Sequence, residues 1–208
     1  MKKKWIIICI VSVILFGAWL VGVIRLNVLA EKPQKEVYQV GERVYYGNNY
    51  FEYSSEIMDG YSLEVLSAKV YEYDAYLEKM GIETDPMTAW HAEYIFDLEI
   101  RFYNSGGADG KGGVPFVSTY LASTDNRLVV NSALVGAMYP HLGEDPYGFS
   151  IRPETEIVLH LPYQMEPVPW LYVGDEKEYL EQTDFYLNVT QYPVKQVVFL
   201  RDGAGLPE

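Results

Sequence analysis

The run Gly106-Gly107-Ala108-Asp109-Gly110-Lys111-Gly112 has the glycine density of a phosphate-cradling loop. Such a loop needs a glycine five residues before Gly110 and a Ser or Thr after the lysine to hold magnesium. Ser105 and Gly112 stand in those places, and no helical pattern follows, so a connection between strands is expected. The histidines His91, His141 and His160 show no ligand-pair spacing, and the single cysteine, Cys9, lies in an apolar run. Zinc requires three or four converging ligands, so no zinc site is expected. Calcium suits so acidic a chain better, yet the EF-hand spacing is missing, and Asp109 and Glu144-Asp145 stand apart. No serine occupies a G-x-S-x-G elbow. Some of the 29 acidic residues must lie near one another, which leaves a small envelope hydrolase as the minor alternative. The expectation is a protein that is not an enzyme, with no metal and no cofactor.

Recognition chemistry is better represented. There are 19 tyrosines, and Tyr45, Tyr46, Tyr50 and Tyr53 are too dense for all of them to point into one core. Pro167-Val168-Pro169-Trp170-Leu171-Tyr172 reads as a loop. Tyr50, Tyr53, Trp170 and Tyr172 are therefore the candidates for an exposed binding surface, against the competing reading that they pack over a sheet edge. The sequon Asn188-Val189-Thr190 matters only in a eukaryotic secretory path.

The segment that places these residues comes first in the chain. Trp5 to Ile24 is 20 residues without a charge, about 30 Å of helix, the thickness of a bilayer's hydrocarbon core. Three lysines precede it and Arg25 follows, so the N-terminus is expected in the cytoplasm and the remainder outside. A signal peptide cleaved after Ala30 is the alternative, although its apolar core would be unusually long. Beyond Ala30 there are 12 basic residues against all 29 acidic ones, a net −17. That surface repels nucleic acid and anionic lipid. The organisation expected is a cytoplasmic tail at 1–4, a transmembrane anchor at 5–25, a tether at 26–36 and an extracytoplasmic domain at 37–208.

Strand patterns recur through that domain. Tyr94, Phe96, Leu98, Ile100 and Phe102 alternate with Glu93, Asp97, Glu99 and Arg101, which predicts a strand with one wet face. From Tyr61 to Tyr73 the apolar parity switches at 65/66, as a β-bulge requires. Further strands are predicted over 37–46, 114–123, 128–135, 149–151, 157–161, 185–189 and 194–200. Short helical turns are predicted over 74–80 and 175–182, with Asp74 and Asp175 as caps. Seven or eight short strands with turns between them point to an antiparallel sandwich.

Four pieces carry a resemblance: Val37-Tyr38-Gln39-Val40-Gly41-Glu42-Arg43-Val44, the strand ending in Asn104, the Ile151-Arg152-Pro153-Glu154 corner, and Phe185-Tyr186-Leu187 with Tyr192-Pro193. Together they look like membrane-anchored proteins of Gram-positive bacteria with extracytoplasmic immunoglobulin-like domains of unknown function. Glu154 stands where such corners commonly have glycine. The resemblance implies an immunoglobulin-like sandwich at the cell surface and brings no catalytic residues. The function expected is an interaction module, held in the lipid bilayer by its N-terminal helix and binding a protein partner of the envelope. The alternative is a sensing domain for cell-wall glycan, peptide or cation.

Overall fold

The computed structural model describes residues 2–29, 34–56, 58–87, 91–106, 114–115, 119–142, 148–166 and 174–201. The chain divides into two compact units, Met1–Pro33 and Gln34–Glu208.

The first unit is helix α1, Lys2–Leu29. Its span Lys4–Val28 is long and apolar enough to cross a membrane, which fits an anchor or a signal sequence. The helix continues past residue 25, and strand begins at Gln34, so both enter the span expected for the tether.

The second unit is mainly β. Its strands are β1 Gln34–Gln39, β2 Arg43–Tyr45, β3 Tyr61–Glu72, β4 Tyr94–Asn104, β5 Val114–Pro115 and β6 Tyr120–Ala122. They continue with β7 Arg127–Val130, β8 Gly148–Phe149, β9 Thr155–Met165, β10 Tyr186–Thr190 and β11 Val194–Phe199. Helices are α2 Tyr73–Met80, α3 Ser132–Met138 and α4 Glu176–Gln182. Nine strands form one sheet in the order β1-β11-β10-β6-β7-β9-β4-β3-β2, while β5 and β8 pair separately. The first strand pairs in parallel with the last one, and the other pairings are antiparallel.

A short connection closes this sheet. β1 and β2 lie on opposite edges, yet only residues 40–42 join them. The four steps from Gln39 to Arg43 reach at most about 14 Å, so the edges must meet and the sheet curls into a nearly closed barrel. Gly41 makes the link at φ 85° and donates its N–H to the Val65 carbonyl at 2.8 Å. The expectation of a mainly β domain holds: among the described strands, nine share the one curled sheet and β5 with β8 form a second.

Alternation fills the interior. Leu63, Val65, Leu98, Ile100, Phe102, Leu121, Leu128, Leu159, Leu161, Tyr163, Leu187 and Val198 are buried in one core. The bulge expected at 65/66 is present as a register shift between Val65 and Ser67. Three local expectations are corrected. The strand predicted over 128–135 ends at Val130, because Asn131 caps α3 by accepting from the Leu134 N–H at 3.0 Å. The polar phase of β4 is not wholly wet, because Ile95 and Asp97 lie buried on the outer face. There Ile95 shares a second apolar cluster with Tyr73, Tyr76 and Leu134, contributed by α2 and α3. The cap expected at Asp175 is made, but Asp74 lies inside the first turn of α2, whose cap position is Glu72.

The Pro153-Glu154 corner stores a small strain. Glu154 has φ 57°, a left-handed conformation that glycine adopts without steric cost, and its N–H donates to the Asn104 carbonyl. Glu154→Gly is expected to stabilise the domain by about 0.5–1 kcal/mol after the added chain entropy of glycine is counted. Calorimetry should read this as a Tm rise of a few degrees. A fall would mean that the glutamate side chain contributes more than the strain removes.

Candidate functional site

The loop after β2 bends back onto the turn between β10 and β11. Gly47, at φ 54°, begins the bend. Asn49 Oδ1 then accepts from the Val194 N–H at 3.2 Å, and the Tyr50 N–H donates to the Tyr192 carbonyl at 2.6 Å. The N–H groups of Gln191 and Tyr192 both donate to the Tyr50 carbonyl, at 2.9 and 3.0 Å. Farther along, Glu56 Oε2 accepts from the N–H groups of Phe51 and Glu52, at 3.0 and 2.9 Å, which holds residues 51–56 in a compact turn. Backbone pairing thus fixes residues 45–56 and 190–194 as one rigid end of the barrel.

Aromatic rings are what this end shows to water. Tyr45 is 64 % exposed, Tyr53 60 % and Tyr192 52 %. Tyr50 is half-buried, with its ring centroid 6.0 Å from that of Tyr192. Phe51 meets Tyr120 edge to face at 5.6 Å, and Gln191 Nε2 donates to the Tyr120 hydroxyl at 3.4 Å. Rings pinned by backbone hydrogen bonds lose little entropy when a partner covers them, which makes them good recognition surface. The Glu52 carboxylate, and behind it Glu56, holds the Tyr53 hydroxyl above the usual phenol range.

Two of the four tyrosine and tryptophan candidates therefore come together here, Tyr50 and Tyr53. Trp170 and Tyr172 lie outside the described residues. Tyr45, from the same dense tyrosine run, joins them, as do Phe51, Tyr120 and Tyr192, which were not among the binding candidates. For Tyr120 and Tyr192 the general excess of tyrosine was the one signal.

A second group of chemically capable side chains lies elsewhere. Asp97 on β4 is 3 % exposed and accepts from the Tyr76 hydroxyl at 2.9 Å. His160 Nδ1 on β9 lies 2.8 Å from its other oxygen, and Lys79 Nζ on α2 lies 3.6 Å away. Desolvation, then the Asp97 charge, pushes the Tyr76 phenol far above its ordinary range, so it remains a donor. Partial burial pulls the Lys79 ammonium down, but the Tyr71 hydroxyl and Asp97 outweigh it and leave the group raised. The Tyr139 hydroxyl accepts from the His160 N–H at 2.7 Å. Every partner here ties α2 or the end of α3 to the sheet, so the cluster works as a clamp. His160 joins β9 to the cluster through its ring on Asp97 and its main-chain N–H on Tyr139.

A cleft of about 180 Å³ lies between β3 and α4, floored by Val70, Phe96, Leu180, Phe185 and Leu200. Lys69, Glu181 and Arg201 rim it. Its volume falls below the ~300 Å³ at which pockets for drug-sized ligands begin. Among the described residues, no group of three or more His, Cys, Asp or Glu is placed to hold a metal ion.

The model of one family, described as a domain of unknown function (DUF5028), matches residues 35–196. Neither a curated protein nor a solved structure matches the chain.

Proposed function

The chain belongs to the DUF5028 family, a domain of unknown function, and we propose that it is a membrane-anchored interaction module. In this reading α1 stays uncleaved in the cell membrane with its N-terminus in the cytoplasm. The β domain then sits outside and binds an envelope protein through the tyrosine surface of residues 45–56 and 190–194. The observation that carries it is the exposure of Tyr45, Tyr53 and Tyr192 on a backbone-pinned end of the barrel. Exposed rings on a rigid support are what binding hot spots are made of. The three lysines at the start of α1 and the net −17 beyond Ala30 support the orientation. An immunoglobulin-like relationship remains part of the reading, supported by the nearly all-antiparallel order.

A photo-crosslinking residue at position 53 or 192, in intact cells, should yield a discrete adduct with one envelope protein. The same residue at exposed Val158 on β9 should not. Equal labelling from both faces, or none from the tyrosine end, would remove the proposal. With the partner in hand, Tyr53→Ser with Tyr192→Ser is expected to weaken binding at least thirtyfold, roughly 2 kcal/mol, while Tm moves by only a degree or two. The alternative, a sensing domain for wall glycan, peptide or cation, predicts instead that such a ligand alone raises Tm.

A further inference from the structure

The outer face of β1, β11, β10 and β6 carries an arrangement that the tyrosine surface does not explain. Lys35 and Lys195 stand directly opposite one another in the parallel register of β1 and β11. Two ammonium groups side by side repel, and among the described residues neither has a carboxylate within ion-pair distance. This is odd in a domain where acidic residues outnumber basic ones by more than two to one. Lys195 Nζ instead lies 5.5 Å above the Tyr186 ring.

Beneath that span is the second observation. Asn188 pairs with Val197 on β11 and with Tyr120 on β6, so it shares its face with Tyr186 and Lys195. Its relative exposure is 0 %, and neither its Oδ1 nor its Nδ2 has a hydrogen-bond partner. A buried amide with both ends unmade is costly, and an apolar residue would serve the fold better. Lys195 and Tyr186 stand two residues to either side of the Asn188–Val197 pair on this face, so the lysine stem that reaches toward the ring passes over the amide. A lysine side chain swings aside at little cost.

We propose that this face is a binding site for a phosphate group, held by Lys35 and Lys195 with the Asn188 amide beneath. Two unpaired ammonium groups match a phosphate dianion better than a carboxylate. The Asn188 Nδ2 donates to a phosphate oxygen, its Oδ1 accepts from a protonated oxygen or an adjoining hydroxyl, and Tyr186 and Tyr120 wall the site. Burial, then Lys35, holds the Lys195 ammonium below its ordinary pKa, and an incoming anion reverses the second of these causes. The site stands independently of the interaction-module reading, although Tyr120 borders both surfaces.

The test uses the full chain in a neutral detergent, titrated with inorganic phosphate at constant ionic strength and followed by Tm. A saturable rise is expected, because a ligand that binds only the native state stabilises it. Lys35→Gln should weaken the apparent affinity about tenfold. Asn188→Leu should abolish the response while raising Tm without phosphate, and a purely structural asparagine would not give that combination. A rise equal in all three proteins, or none in the wild type, overturns the site. Acetylation of Lys195, read by mass spectrometry, separates the sources. Protection by glycerol 1-phosphate assigns a free ester, and protection only in bilayers containing phosphatidic acid assigns a lipid headgroup. Protection by neither overturns the proposal.

Discussion

Asp97→Ala is expected to cost about 3 kcal/mol, the low end for breaking a buried charged pair, because two of its partners reach water. His160 and Lys79 are partly exposed and regain solvent when the carboxylate goes. Tyr76 does not. It is fully buried, and its hydroxyl would be left with only the Met138 sulfur at 3.7 Å. In a domain of this size that loss lowers Tm by roughly 6–12 °C. Lys79→Met removes an exposed partner at 3.6 Å and should cost under about 1 kcal/mol, which gives the contrast that isolates the buried members. Adding Tyr76→Phe to Asp97→Ala removes the orphaned hydroxyl and should recover about 1 kcal/mol. Calorimetry on the three variants reads this directly. If Asp97→Ala melted within two degrees of the wild type, the cluster would not be the clamp that holds α2 on the sheet.

The other large effect concerns α1. With arginine at both Ile14 and Leu15, near the middle of the apolar span, the chain is expected to leave the membrane fraction. Each arginine at a helix centre costs about 2.5–3.5 kcal/mol of insertion, against the roughly 0.3–0.6 kcal/mol that each Leu, Ile, Phe or Val contributes. Two arginines therefore cancel most of what the span from Lys4 to Val28 gains. Fractionation of cells by carbonate extraction separates the outcomes. Wild-type chain stays with membranes at its full length, whereas the double variant turns up in the soluble or degraded pool. A wild-type band shortened by about 30 residues would mean that α1 is cut off as a signal sequence and that the anchor reading fails.

The two effects sit at opposite ends of what a sequence can show. The membrane-length helix was legible because its signal is local: 20 consecutive uncharged residues flanked by cations need no partner to be recognised. The strand β4 was legible for the same reason, since Tyr94, Phe96, Leu98, Ile100 and Phe102 carry their period within one segment. The bulge after Val65 showed as a break in that period, and Asp175 as a cap three residues before the N–H it accepts.

Other features had no local signal. Asp97 looked like the wet phase of β4, and only Ile95 two residues earlier hinted that a helix lies over it. Its partners come from 21 and 63 residues away, so the clamp exists only once α2 and β9 reach the same strand. That nine strands share one nearly closed sheet follows from where β1 and β2 pair, which the three residues between them do not encode. Tyr192 joins Tyr50 across 142 residues, and Lys35 meets Lys195 through a parallel pairing of the first strand with the last one.

By itself the sequence determined the apolar helix, the β class and the absence of any cysteine beyond Cys9, because composition and period two act at short range. Tertiary structure alone decided which polar residues are buried, which tyrosines share a surface, and that the sheet nearly closes. Those outcomes depend on long-range strand pairing, where the choice of neighbour, and not the residue type, sets whether a side chain meets core, helix or water.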